Sequence, residues 1–166
     1  GAIAAVLALG FELDEQSVKR ALHGLDLSGR RQTIELDGRK VLCDVAHNPA
    51  SVAALARYQR QHNSGATVSR AVFSVMSDKD ITAMLLRGNE FIDVWYLAGQ
   101  QNERVASVEA LSDLITAHLQ TESHVFNDVR SAINAMISDS NEGDTLIVMG
   151  SFTTVAVALA MVDDRA

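Results

Sequence analysis

The chain has 166 residues, 48% hydrophobic and 21% charged, which is the length and balance of one folded domain with a sizeable core rather than a disordered segment. A formal net charge of −7 argues against nucleic acid and anionic membrane as general partners, and no stretch approaches the roughly 20 apolar residues of a membrane span. The single cysteine, Cys43, excludes an internal disulfide, and with no basic n-region of a signal peptide at the N-terminus the expected location is the cytoplasm.

Residues 1–9 (GAIAAVLAL) read as an almost wholly apolar helix that starts without a cap. Such a helix needs burial on several sides, so this piece is expected to be the tail of a larger preceding unit. A second helix is predicted over 14–23, with Asp14 as N-cap and Val18, Ala21, Leu22 and Leu25 at helical spacing. From Gln32 the period changes to two. Asp37-Gly38 between 33–36 and 40–44 predicts a tight hairpin.

Beyond the hairpin, helices and strands alternate. Helices are predicted over 49–61, 80–87, 107–119, 128–138 and 151–162, and strands over 69–75, 91–97, 124–126 and 145–149. Val72-Phe73 and Leu146-Ile147-Val148 are continuous apolar runs, as in strands buried on both faces of a parallel sheet. Strands joined by single helices require right-handed crossovers. The expected fold is therefore α/β: a Rossmann-like, doubly wound, mostly parallel sheet with one antiparallel edge strand and helices on both faces. There is no internal repeat, low-complexity tract or long linker.

The sequence contains neither a G-x-G-x-x-G fingerprint nor a G-x-x-x-x-G-K-[ST] phosphate loop. No metal-ligand cluster is present either; His23, His62, His118 and His124 are scattered and read as surface or helix-end residues. Chemistry concentrates at Asp44-Val45-Ala46-His47-Asn48-Pro49, where a strand delivers an acid, a histidine and an amide to a helix start. A structural account has Asn48 as N-cap, Pro49 at the first helical position and Asp44 as a turn residue. It leaves unexplained a carboxylate at the end of a buried strand, where an unpartnered charge costs several kcal/mol. A ligand account has Asp44 accepting the hydroxyls of a ribose and His47 meeting a carboxylate or phosphate, on the edge where α/β sheets bind ligands.

Three further stretches carry polar residues at turns or helix starts. In Leu27-Ser28-Gly29-Arg30-Arg31-Gln32 the two arginines are either solvated or, on a Gly-hinged loop, aimed at phosphate. Gly150-Ser151-Phe152-Thr153-Thr154 is a second strand-to-helix corner with Ser151 as N-cap, able to add donors to a site shared with Asp44. At Met76-Ser77-Asp78-Lys79-Asp80, Asp78 or Asp80 caps a helix and Lys79 lies at the surface. Trp95 and Tyr96 read as core and edge, and Cys43 as a small buried hydrophobe.

Taken in order, L-S-G-R-x-Q, D-V-A-H-N-P, V-M-S-D-K-D-I, D-x-W-Y-L-A and D-T-L-I-V-M-G-S-F-T-T-V resemble the C-terminal domain of the dihydrofolate synthase/folylpolyglutamate synthase branch of the Mur ligase superfamily. The resemblance divides the chain into a helical remnant of a preceding ATPase domain, 1–24, and a glutamate ligase domain, 25–166. It implies an ATP-dependent ligase that forms an acyl phosphate and joins L-glutamate to dihydropteroate or folate, with ATP and Mg²⁺ held mainly by the preceding ATPase domain and no metal ligand here. Carried across by motif, Arg30 contacts ATP phosphate, Asp44 the ribose, His47 the glutamate or the reacting phosphate, and Ser151 the glutamate carboxylate. The chain departs from the pattern at Ser28 (usually Pro), Arg31 (often aromatic) and Thr153 (commonly His). The D-x-A-H-N-P element is shared across the superfamily, so another Mur-type amino-acid ligase stays an alternative, as does a Rossmann-like binding module without catalysis.

Overall fold

This computed structural model describes residues 2–23, 27–62 and 68–164. Among them lie α1 (Ala2–Ala8), α2 (Glu15–His23), β1 (Gln32–Leu36), β2 (Arg39–Asp44), α3 (Pro49–His62), β3 (Ser69–Phe73), α4 (Ile81–Gly88), β4 (Val94–Ala98), α5 (Val108–His118), β5 (Glu122–Phe126), α6 (Val129–Ser138), β6 (Thr145–Met149) and α7 (Phe152–Asp163). The six strands form one sheet in the order β1-β2-β6-β3-β4-β5. Only β1 and β2 pair antiparallel, so the expected architecture is the observed one. Asp37 and Gly38 take positive φ (49° and 72°), the geometry of the predicted two-residue turn.

Alternation along the strands builds two cores. Leu42, Ala71, Phe73, Trp95, Leu97, Ile147 and Met149 face one side with residues of α3, α4 and α5. Val41, Cys43, Val72, Tyr96, Leu146 and Val148 face the other with α6 and α7. β6 returns from beyond β5 and inserts between β2 and β3. The helix leaving β2 thus lies on one face and the helix leaving β6 on the other. That divergence opens a crevice at the carboxyl ends of these two strands, the topological switch point where such sheets take ligands.

Several predicted boundaries move. β3 stops at Phe73 rather than 75, because Val75 gives its carbonyl to the Ala106 N–H and Met76 bridges Val105. β4 begins at Val94 rather than 91: the N–H groups of Phe91 and Ile92 close the end of α4 on the Gly88 carbonyl. β5 begins at Glu122, two residues before the predicted 124. Trp95 is core as expected. Tyr96 is not an edge residue, since β5 covers β4; it is fully buried, donating to Asp139 at 3.0 Å and accepting from Arg70 at 3.2 Å.

Asp14 caps α2 through the Ser17 N–H at 2.8 Å, while Leu25 lies outside the described residues. The burial expected of the N-terminal apolar segment is not met: Leu7, Leu9 and Phe11 are more than half exposed. No helix among the described residues is long and apolar enough to cross a membrane.

Candidate functional site

Asp44 ends β2 with its Cα opposite Met149 of β6, which puts the acid at the mouth of the crevice. Its Oδ2 accepts the Arg31 N–H at 3.1 Å. Burial pushes the carboxyl above its ordinary range, opposed by backbone N–H groups of Arg31 and Ala46 and by the charges of Arg31 and Arg30. The fold therefore keeps an incompletely compensated acid where an uncharged residue would be easier to hold.

The turn after Asp44 is rigid. Asn48 Oδ1 accepts the Ser51 N–H at 2.9 Å, and Ser51 Oγ reaches back to the N–H groups of His47 and Asn48, both at 3.1 Å, a reciprocal cap with Pro49 as first helical residue. His47 Nδ1 lies 2.9 Å from the Val45 carbonyl. A carbonyl only accepts, so Nδ1 carries a proton and Nε2 is the nitrogen left for a ligand.

The loop before the hairpin packs against this corner. Gly29, at φ 73°, gives its carbonyl to the Val45 N–H at 2.8 Å, and a Cβ there would meet Val155 at 3.0 Å. Gln32 Oε1 accepts the Gly29 N–H at 2.8 Å and the Ser28 hydroxyl at 3.4 Å. The loop thus has its own ties although Ser28 stands where proline was the pattern. Arg30 lies 5.9 Å over the Phe152 ring, at the start of α7, while Arg31 lies 5.5 Å over Tyr58, on α3. Consecutive arginines splay to opposite faces of the sheet, with Asp44 between them.

Ser151 caps α7, accepting the Thr154 N–H at 3.1 Å, and its hydroxyl pairs with Thr153 at 2.9 Å and Thr154 at 2.7 Å. It is 4% exposed, so this hydroxyl is committed within the protein. Thr154 Oγ1 donates to the Ser74 carbonyl at 2.7 Å and accepts from Gln100, which also reaches Ser74 Oγ at 2.9 Å. Gly150, at φ 118°, permits the approach: a Cβ there would lie 2.4 Å from the Ser74 carbonyl oxygen. This network stitches the ends of β3, β4 and β6 into one crevice floor.

Of the residues singled out in the sequence, Asp44 lies at the switch point, Arg30 on the loop bonded to Val45 and His47 in the turn after β2, and Ser151 caps α7 just past the end of β6. Asp80 caps α4 through the Ala83 N–H, and Lys79 pairs with Asp78 at 3.0 Å, apart from the site. Cys43 is buried with its thiol pushed up to about 12 by burial and by Asp44, hence inert. Sequence reasoning missed Ser74, Gln100 and the Tyr58 ring, and named Phe152 and Thr154 only as members of the Gly150–Thr154 corner. Ser74 and Gln100 did carry a signal, being polar residues one or two places beyond an apolar strand. Among the described residues no cluster of His, Cys, Asp or Glu could hold a metal ion.

A mostly parallel, doubly wound sheet with a carboxylate, a histidine and two arginines at its switch point has the architecture of the Rossmann-like α/β domains. The pattern of the Mur ligase, glutamate ligase domain, matches residues 29–152, and the chain belongs to that family. It is 33% identical over 165 residues to the dihydrofolate synthase/folylpolyglutamate synthase of Escherichia coli (strain K12), covering 99% of this chain and 37% of that protein. The solved structure of E. coli FolC in complex with DHPP and ADP superposes with a TM-score of 0.83 at 30% identity, over 99% of this chain and 38% of that one. The Yersinia pestis bifunctional folylpolyglutamate synthase/dihydrofolate synthase complexed with AMPPNP and Mn ion gives a TM-score of 0.80 at 32% identity, over 98% and 38%. The chain thus spans little more than a third of these relatives.

Proposed function

We propose that this chain is the C-terminal domain of a cytoplasmic, ATP-dependent ligase that adds L-glutamate to dihydropteroate, to folates or to both. Residues 25–166 form the glutamate ligase domain. Residues 1–24 close a preceding ATPase domain, whose surface would cover the exposed Leu7, Leu9 and Phe11. What supports the reading is Asp44 at the end of β2 beside β6, with Arg30 and His47 on the adjoining turns, in a chain whose likeness to the folate enzymes runs over 99% of its length.

The residues suit the ligands. Asp44 accepts the two ribose hydroxyls of ATP. Arg30, exposed on a tied loop, neutralises phosphate. Mg²⁺ is carried with the ATP phosphates and the preceding domain. In the reaction a substrate carboxylate oxygen takes the γ-phosphoryl group and ADP leaves. The glutamate nitrogen then bonds to the carbonyl carbon, losing a proton as phosphate departs. Such chemistry asks the protein mainly for positioning and charge neutralisation. His47 Nε2 meets the incoming glutamate or the reacting phosphate, with the ring fixed by Val45. Ser151 serves the glutamate carboxylate by ordering the start of α7 and holding the hydroxyl of exposed Thr153.

The test uses the full-length enzyme that contains this chain, offered glutamate with dihydropteroate, with folate, and with peptidoglycan precursors. Turnover is expected with the pterin substrates alone, and Asp44→Ala and Arg30→Ala each lower it by about a hundredfold or more in enzyme that still unfolds cooperatively. Near-normal turnover in both variants overturns the site. Turnover only with peptidoglycan precursors overturns the folate assignment, and a gene with no phosphate-loop domain ahead of Gly1 overturns the ligase.

A further inference from the structure

Charge is unevenly spread over this chain. Acids outnumber lysine and arginine by 21 to 14, yet neither α3 nor α4 contains an acidic residue. Arg57 and Arg60 of α3 and Arg87 of α4 instead line one groove of about 450 Å³. Along α3, Pro49, Ala53, Arg57 and Arg60 recur at helical spacing and so form a single stripe, with the small Ala50 beside its upper end. The groove therefore starts at the first turn of α3, two residues beyond His47, and follows the helix as far as Arg60, about 16 Å at the rise of an α-helix.

Glu90, just past α4, is the one acid lining it. Its two oxygens hold Arg87 at 2.9 Å and Arg60 at 3.7 Å. Arg57 is exposed and forms no ion pair among the described residues. Three guanidinium groups face one carboxylate, in a chain whose net charge is −7. Single arginines on a helix are ordinarily solvated, but several on one concave surface make a field of one sign that gathers anions.

The ligand that suits it is long, narrow and repeatedly anionic. ATP and glutamate are too short to follow the groove. The γ-glutamyl chain of an acceptor that already carries several glutamates is not, and it presents one free α-carboxylate per residue. Those older residues lie between the pterin and the reacting end, so each addition leaves more chain to be placed outside the two end sites.

We propose that the Arg57–Arg60–Arg87 groove holds the γ-glutamyl chain of long-chain acceptors; this rests on the folate ligase reading. The arginines meet the α-carboxylates, and Ala50 and Ala53 leave room for the methylenes. The groove governs how well long acceptors bind and takes no part in the chemical step.

The test assays the full-length enzyme with folate mono- and pentaglutamate. Arg57 has no ion pair to lose, so Arg57→Glu reverses a charge in the groove without breaking one in the protein. The KM for the pentaglutamate is expected to rise about fivefold, while the KM for the monoglutamate and the KM for ATP stay within about twofold. The difference should shrink at about 1 M salt, where charges are screened within about 3 Å. Free penta-γ-glutamate is the binding probe, and its Kd, read by calorimetry, is expected to rise by the same factor. The proposal is overturned if the pentaglutamate KM is unchanged, or if both acceptors weaken equally, since a structural role would not depend on chain length. Should Arg57→Glu fail to fold, Arg57→Gln decides with the same readouts and an expected rise of about two- to threefold. An enzyme that adds no glutamate to a pterin defeats the ligase reading, and the Kd for penta-γ-glutamate still judges the groove.

Discussion

Thr154→Val asks whether one hydroxyl holds the crevice floor together. The substitution keeps the shape of a fully buried side chain and replaces its oxygen by a methyl group. Three partners lose a bond, with unequal consequences. Ser151 Oγ retains Thr153 and the residue 154 N–H, and Gln100 retains Ser74 Oγ, so each loss there costs about 0.5–1 kcal/mol. The Ser74 carbonyl belongs to a residue with no exposed surface, and its 2.7 Å bond is lost where water does not reach, costing about 1–3 kcal/mol. Burying the new methyl recovers up to about 1 kcal/mol. The net expectation is a loss of about 3 kcal/mol, or about 6–12 °C in Tm for a domain of this size. Urea unfolding followed by circular dichroism measures it, with exposed Thr153→Val as a control expected to lie within about 0.5 kcal/mol of wild type. A loss below about 1 kcal/mol, or one equal to the control, would refute the reasoning.

Gly150→Ala should cost at least about 3 kcal/mol in the same assay, because it combines a 2.4 Å approach to the Ser74 carbonyl oxygen with φ 118°, a backbone region nearly closed to side chains; a change under about 1 kcal/mol contradicts that. Asp44→Asn should stabilise the fold at neutral pH while abolishing activity. A carboxyl whose folded-state pKa is raised contributes stability that is full below the ordinary 3.8 and is lost as pH rises through the folded value, so the variant's advantage should open as pH climbs past 3.8 and then level off. A pH-independent difference, or a less stable variant at pH 7, counts against burial as the dominant cause. Cys43, buried with a thiol pushed up to about 12, should not react with a thiol-specific disulfide reagent at pH 8 unless denaturant is added; labelling of the folded protein within minutes would contradict its inert role.

Much of the site was legible because its parts are local. Asn48-Pro49 with Ser51 two places on, and Gly29 in a loop ending at Gln32, are short-range solutions to turning the chain and satisfying its N–H groups, and each is built from residues a few positions apart. Asp44 stood out for a similar reason, as an acid at the end of an apolar run. Ser151 was legible as a cap and as a donor beside Asp44. That its hydroxyl is shared with Thr153 and Thr154 depends on the Ser74 carbonyl arriving from 80 residues away. Arg31 was the least readable, since nothing local says that Tyr58 waits on the next helix.

What the sequence by itself determined is the succession of elements, the hairpin at Asp37-Gly38, the two-sided burial of the central strands and the polar corner after β2. These follow from side-chain period, from φ preference and from capping, all of which act over a few residues. Only the tertiary structure decided that β6 passes between β2 and β3, setting Met149 beside Asp44 and sending the following helices to opposite faces. Local pattern cannot choose strand neighbours. That choice comes from burying both faces of the whole sheet under crossovers of fixed hand, and it makes a turn with an aspartate into one wall of a crevice.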